Sequence, residues 1–340
     1  MIKRGSGKEV WKIIASVIWR RLMRNKENEM RTIDFKRNIE LEQLLGEINS
    51  DIAMAEKNLL KKNIREYPVV FIMGAMRSGT TLLEQWMADM NVFAYPSNIM
   101  SRFFGAPIIG GKIQKLLTDE KYNFRDEIID FSLNREIIFE SSNGKTKGAL
   151  QPNEFWYFWR RFLPEDLRGY TSEDLYEKVD IQTMRRELWG IAQVFDKPIV
   201  LKGMICNYHI PFLNKVFDKA LFICLQRNIE SHVKSVIKAR ERQYGTQNKW
   251  YSFLIPEYES LSKIEDIEVQ VRCQIEAINN AVVNGLKNVP DQKKIQVKYE
   301  EFCLNPKKLY HEICEKLQEQ GYIIEKSYIG KENFTIKSIN

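Results

Sequence analysis

The chain has 340 residues, 44% hydrophobic and 11% aromatic, with 17 glycines and 10 prolines, an ordinary globular composition that excludes disordered, collagen-like and disulfide-framework proteins. Its 52 basic and 45 acidic residues leave +7, of which residues 1–31 hold +6, so a protein-wide nucleic-acid footprint is excluded and no nucleic-acid partner is expected. Five cysteines form no CxxC pair and three histidines supply no repeated zinc pattern, which implies free thiols in a reducing, cytoplasmic compartment and no metal.

The first element is V-W-K-I-I-A-S-V-I-W-R-R-L-M, Val10 to Met23. Trp11, Ile14, Ile18 and Leu22 recur at helical spacing, while Lys8, Lys12, Ser16, Arg20 and Arg24 mark the opposite stripe. This basic amphipathic helix is too short to span a bilayer, which takes about 20 apolar residues, and no small-residue cleavage site follows its apolar stretch. Two readings stand: residues 8–24 make peripheral contact with an anionic membrane surface, or the Trp/Ile face packs on the main domain.

From Glu27 to Lys62 the sequence is polar with Leu and Ile at helical intervals, which predicts one or two surface helices. The texture changes at Tyr67-Pro68. Residues 1–66 therefore read as a basic, helical extension and 67–340 as the main domain. Short apolar runs follow at Val69 to Met73, Pro198 to Lys202 and Ala220 to Leu225, and an alternating one at Lys294 to Tyr299. A helical pattern follows each run, so the expected fold class is α/β, an open parallel sheet flanked by helices.

The first run leads into G-A-M-R-S-G-T-T-L-L-E-Q-W-M, Gly74 to Met87. Strand, glycine loop and apolar helix in that order make an anion cradle: backbone N–H groups converge, the helix N-terminus adds partial positive charge, and the Thr80 and Thr81 hydroxyls donate further. Arg77 supplies a permanent cation. A triphosphatase loop requires lysine directly after its second glycine, where this chain has Thr80. That difference argues against γ-phosphoryl transfer and for another anionic group carried on a nucleotide.

R-S-G-T-T-L-L resembles the 5′-phosphosulfate loop of the sulfotransferases that use 3′-phosphoadenosine-5′-phosphosulfate (PAPS). The resemblance implies a second signature, an Arg ending a later strand with a Ser eight positions on, both holding the 3′-phosphate. L-Q-R-N-I-E-S-H-V-K-S contains it as Arg227 and Ser235. V-K-Y-E-E-F, Val297 to Phe302, with Asn305-Pro306 after it, is similar to the family's closing strand and helix, so the likeness runs from about residue 67 to 320. It implies a P-loop-like sheet and PAPS as co-substrate, held by Arg77, Ser78, Gly79, Thr80, Thr81, Arg227 and Ser235. It further implies transfer of the sulfuryl group to a hydroxyl of a carbohydrate or glycolipid acceptor. In the family a C-terminal tail often closes over the 3′-phosphate, a role open here to Lys331 or Lys337.

Many carbohydrate-type members carry a Glu about 20 residues after the loop serine; this chain has Ser97 and Asn98 there and no carboxylate. The expected general base is Glu154 in Q-P-N-E-F-W-Y-F-W-R-R-F, with apolar neighbours raising its pKa. A helix-capping role fits the same position. His209, Glu140 and Glu84 are weaker candidates, His209 reading better as a satisfied structural histidine. Lys202, ending the second strand, stands on the carboxyl edge where such sheets bind ligands, and either steadies the bridging oxygen or pairs with a carboxylate. Trp156 and Trp159 belong to a core helix or to a sugar-stacking wall, and Arg160, Arg161 and Arg168 suit an acidic acceptor or plain solvent. Two rival functions stay open: a nucleotide-dependent kinase, and an inert nucleotide-binding module that has lost its base.

Overall fold

A computed structural model describes residues 28–127 and 136–336. The amphipathic stretch at 8–24 and Lys337 lie outside the described residues. Four strands, β1 (Val69–Met73), β2 (Ile199–Lys202), β3 (Ala220–Gln226) and β4 (Lys294–Lys298), form one sheet in the order β2-β1-β3-β4. All three pairings are parallel. The boundaries fall within a residue of the apolar runs, because those runs have both faces buried and stop where the chain meets solvent.

The helices are α1 (Ile39–Leu60), α2 (Thr80–Asp89), α3 (Pro107–Thr118), α4 (Trp156–Phe162), α5 (Ser172–Lys178) and α6 (Ile181–Phe195). Beyond β2 come α7 (Ile210–Val216), α8 (Ile229–Tyr244), α9 (Tyr258–Leu261), α10 (Ile267–Leu286), α11 (Tyr299–Leu304) and α12 (Pro306–Glu319). Alternation along the strands separates two cores. Val69, Phe71 and Met73 pack with Leu201, Phe222 and residues of α4, α6 and α7. Val70 and Ile72 pack with Ile223, Leu225 and the inner faces of α2, α11 and α12. A third cluster joins α8 to α10 beyond the sheet's carboxyl edge.

Register decides where Lys202 points. Val70 pairs with Val200 and Ile72 with Lys202, so Lys202 emerges on the α2 face of the sheet, at its carboxyl end. α1 is joined to the rest through polar groups as well as apolar ones: the Glu56 carboxylate accepts from the Ile108 and Ile109 N–H groups at the start of α3. Among the described residues no helix is long and apolar enough to cross a membrane, and no three His, Cys, Asp or Glu side chains converge as a metal site. All five cysteines are free.

Candidate functional site

At the carboxyl edge of the sheet a cleft of about 2010 Å³ opens between β1, β2, β3 and the loops above them. Eight of the nine residues predicted for the site line it; the exception is Ser78, fully buried beneath the loop. The loop from Gly74 to Gly79 is held from several sides. Gly74 donates its N–H to Asn207 Oδ1 at 3.1 Å, and Asn207 Nδ2 donates back to the Gly74 carbonyl at 2.9 Å. The Met76 carbonyl accepts from His232 Nε2 at 2.7 Å. Burial pushes the His232 pKa down to about 4, with Arg227 and Arg77 acting the same way, so the ring is neutral and its proton sits on Nε2. Ser78 donates its N–H to the Ala75 carbonyl.

Gly79 and Arg77 take φ values of +106° and +67°, in the left-handed region. A Cβ on Gly79 would lie 2.3 Å from the Tyr299 ring, so glycine is required there twice over. The same Tyr299 ring carries the Arg227 guanidinium at 4.8 Å, and Arg227 donates to the Arg77 carbonyl at 3.2 Å. Burial and the neighbouring Arg77 lower the Arg227 pKa, though a guanidinium stays charged throughout the neutral range. Arg77 Nε is buried and has no hydrogen-bond partner among the described residues. Ser235 lies on α8, nearly two turns from its start and eight residues after Arg227, 3% exposed and lining the same cleft. The strand–turn–helix junctions after β1 and β3 thus put two cationic side chains, a helix N-terminus and hydroxyls around one space. That donor set and the cradle at Gly79 fit a nucleotide bearing two phosphate-type groups.

Beside the loop a chain of polar contacts runs away from α2. Lys202 Nζ, 3% exposed, donates to Thr81 Oγ1 at 2.7 Å and to Glu154 Oε1 at 3.2 Å. Glu154 Oε2 accepts from Lys145 Nζ at 3.2 Å and from the Trp156 indole N–H at 2.9 Å. Gly144 lies close enough that a Cβ would stand 2.9 Å from Glu154 Oε1. These contacts correct the expectation for Glu154. Burial does push its pKa upward, but Lys145, Lys202 and the indole outweigh it, and the pKa is lowered to about 2. Nor does Glu154 cap a helix: α4 starts at Trp156 with Phe155 at the N-cap position and no side-chain cap. The raised carboxyl is instead Glu84, 1% exposed on α2, pushed up to about 8 by burial, with Lys202 opposing and Glu154 adding to the shift.

The other candidates separate cleanly. His209 is buried and lines the cleft, yet its Nδ1 has no hydrogen-bond partner among the described residues, so it is not the satisfied structural histidine expected. Burial lowers its pKa, which keeps the imidazole neutral. Glu140 is exposed outside the cleft. Ser97 and Asn98 are structural: Ser97 Oγ bonds Gln114, and Asn98 spans to Thr146 and Gly148. Trp159 is fully buried core, whereas Trp156 lines the cleft. Arg161 pairs with buried Glu187 at 2.8 Å, and Arg168 with Asp166 at 2.7 Å. Lys331 does not line the cleft; its ammonium lies 4.5 Å from the Phe139 ring.

Sequence reasoning missed Asn207, His232 and Tyr299, the supports of the loop, and the segment from Met30 to Glu42, nine of whose residues line the cleft. Eleven Lys/Arg and five Asp/Glu line it in all, a concentration that the near-zero average charge after residue 31 concealed.

The model of the family described as "Sulfotransferase family" matches residues 68–320. The fold is similar to that of a sulfotransferase from Mycobacterium tuberculosis, with 14% identity, 79% of this chain and 72% of that chain covered, and a TM-score of 0.53. It is also similar to that of a sulfotransferase from Mycobacterium avium, with 16% identity, 79% and 68% covered, and a TM-score of 0.50. Among curated proteins no significant match was found.

Proposed function

The chain belongs to the sulfotransferase family, and from that premise we propose that it transfers the sulfuryl group of PAPS to a hydroxyl of a carbohydrate or glycolipid acceptor. The observation that carries this reading is the contact of Lys202 with both Thr81 and Glu154 at the edge of the loop, inside the cleft that also holds Arg227 and Ser235. PAPS supplies an activated sulfur whose leaving group is a phosphate oxygen. Every remaining role falls to the protein.

The N–H groups at the start of α2, the Thr80 and Thr81 hydroxyls and Arg77 hold the 5′-phosphate side and stabilise the negative charge that grows on the departing oxygen. Arg227 and Ser235 hold the 3′-phosphate. The acceptor oxygen forms a bond to sulfur, the sulfur–phosphate oxygen bond breaks with its electron pair staying on adenosine 3′,5′-bisphosphate, and the hydroxyl proton goes to Glu154. A carboxylate with a pKa of about 2 is a weak base. It takes that proton late, once the new O–S bond has made the hydroxyl strongly acidic. Lys202, already buried between Thr81 and Glu154, would turn its ammonium toward the bridging oxygen.

The acceptor class rests on the other half of the cleft. Trp156, Tyr157, Tyr170, Trp250 and Tyr258 line it, and aromatic faces suit the C–H face of a pyranose. The sequence pattern of residues 8–24 supports peripheral membrane contact, which suits a glycolipid. His209 carries a second reading of the base, because its neutral ring belongs to a residue that lines the cleft beside the loop.

Calorimetry with adenosine 3′,5′-bisphosphate, against ATP·Mg²⁺ and AMP, tests the donor. Binding should depend on the 3′-phosphate and collapse in Arg227→Ala; preference for ATP·Mg²⁺ would instead indicate a kinase. Turnover in Glu154→Gln and His209→Gln then assigns the base: whichever variant loses turnover with nucleotide binding intact held that role. No turnover in the wild type with any sugar alcohol, despite tight nucleotide binding, would favour an inert binding module.

A further inference from the structure

Eleven Lys/Arg against five Asp/Glu leave the cleft at +6, which exceeds the about four negative charges on the phosphate and sulfate groups of PAPS. Arg37, Lys145 and Arg168 pair with Glu42, Glu154 and Asp166, and the proposed function gives Arg77, Lys202 and Arg227 to the donor. Arg242 lines the cleft, belongs to neither set and enters no ion pair among the described residues.

A buried turn holds it. Ser142 and Lys145 exchange both backbone hydrogen bonds, at 2.9 and 2.8 Å, around Asn143 and Gly144, whose φ values of +49° and +84° are those of a type I′ turn. The end of this turn sends Lys145 to Glu154. In its middle Asn143, 7% exposed, donates from Nδ2 to the Ala239 carbonyl at 2.9 Å and accepts from Arg242 Nε at 2.9 Å. The guanidinium is thus fixed by one edge, and its Nη groups make no hydrogen bond among the described residues.

Tyr251, buried in the cleft wall, donates its hydroxyl to the Asn143 carbonyl at 3.3 Å. Burial raises its pKa, and the strongest charges acting on it are Arg77, Glu154 and Arg242 in that order, so all three lie around one phenol. Burial and then Arg77 lower the Arg242 pKa; the carboxylate acting on Arg242 is its chain neighbour Glu241, which accepts from Gln247 Nε2. Two guanidiniums in mutual range with no carboxylate bridging them favour an anion beside them. On α8, Arg242 is seven residues after Ser235, hence on the same face and about 10 Å further along the axis. That is beyond the place the proposed function gives to the 3′-phosphate.

We propose that Arg242 selects an anionic acceptor: its Nη groups receive an oxyanion, a uronic carboxylate or an ester sulfate, carried on the sugar whose hydroxyl reacts beside Glu154. The inference rests on the sulfuryl-transfer reading and names the acceptor class within it. The test titrates the full chain, saturated with adenosine 3′,5′-bisphosphate, with 4-nitrophenyl β-D-glucoside, its 6-sulfate and 4-nitrophenyl β-D-glucuronide, followed by ligand-observed NMR. Wild type should bind an anionic glycoside about 10–100-fold more tightly than the neutral one, less so at high salt. Whichever anionic glycoside binds tighter tells carboxylate from sulfate.

Arg242→Gln should remove that preference and leave nucleotide affinity, read by calorimetry, unchanged. Equal binding of the neutral glycoside, binding of none of the three, or a preference that survives in Arg242→Gln overturns the proposal. So does a fall in nucleotide affinity in that variant, which would put Arg242 on the donor. Wild type that binds no nucleotide sinks the sulfuryl-transfer reading itself, and the proposal with it.

Discussion

The two halves of the cleft are built differently. The loop half, which the proposed function gives to the donor, comes from two strand–turn–helix junctions, each contiguous in sequence, and its backbone is held by Asn207, His232 and the Tyr299 ring. The other half, which that reading gives to the acceptor, is gathered from segments around residues 30–42, 141–145, 154–172 and 249–258. Its fixings are partly exposed side-chain pairs, such as Arg37 with Glu42 at 2.6 Å, side chains 29% and 27% exposed. Pairs of that exposure contribute little to stability, about 1 kcal/mol or less. The loop side of the cleft is thus fixed by a backbone that tolerates almost no change. The other side is lined by side chains whose exchange should cost the fold little.

The largest expected effect strikes the donor half. Gly79→Ala meets both a positive φ and the Tyr299 ring, so it should cost about 2–5 kcal/mol in a thermal melt and abolish nucleotide binding. Tyr299→Ala in the same chain should restore part of the stability. Normal binding in the single variant would mean that the cradle is not the phosphate site. Lys202→Ala removes a cation aimed along the loop edge; kcat should fall about 10²–10³-fold while nucleotide affinity changes little. An equal loss in affinity would place Lys202 in donor binding instead.

Glu84→Gln tests the buried carboxyl on α2, outside the cleft lining. Glu84 stays protonated in the native chain up to about pH 8, whereas in the unfolded chain it ionises near its ordinary value. Between the two values the native state binds more protons, so stability falls as pH rises through that window and levels off above it. Glutamine carries no such proton. The variant should therefore gain on the wild type by on the order of 3 kcal/mol between pH 5 and 8, read from denaturant midpoints. Parallel pH profiles would contradict a neutral Glu84. The smallest effect belongs to the acceptor half: Tyr157→Phe removes the hydroxyl bonded to Glu42 and should raise the acceptor KM about two- to fivefold with nucleotide affinity unchanged. A loss of nucleotide affinity would show that the halves are coupled.

How much could be read in advance follows from the same contrast. Gly74, Gly79, Thr80, Thr81, Arg227 and Ser235 sit at fixed intervals from strand ends, and a strand end places its neighbours wherever the sheet lies. Tyr299 was visible in V-K-Y-E-E-F, but its work as floor for both Gly79 and Arg227 depends on β4 lying beside β3, which no local pattern states. The charge of Glu154 was misread for that reason. Its sequence neighbours are apolar, while the groups that set its pKa include Lys202, 48 residues away, and Lys145. Similarly, His209 looked structural because nothing in N-Y-H-I-P shows that its ring borders the cleft with Nδ1 unpartnered.

By itself the sequence determined the α/β class, the strand positions and the glycine-loop and arginine junctions that border the cleft, since alternation, glycine placement and helix starts are short-range consequences of backbone sterics and hydrogen bonding. Only the tertiary structure decided which charges meet, which carboxyl is ionised and which segment walls the far side of the cleft. Those depend on burial and on distances between residues far apart along the chain, and the Coulomb energy of a pair is set by where the fold brings its partners to rest.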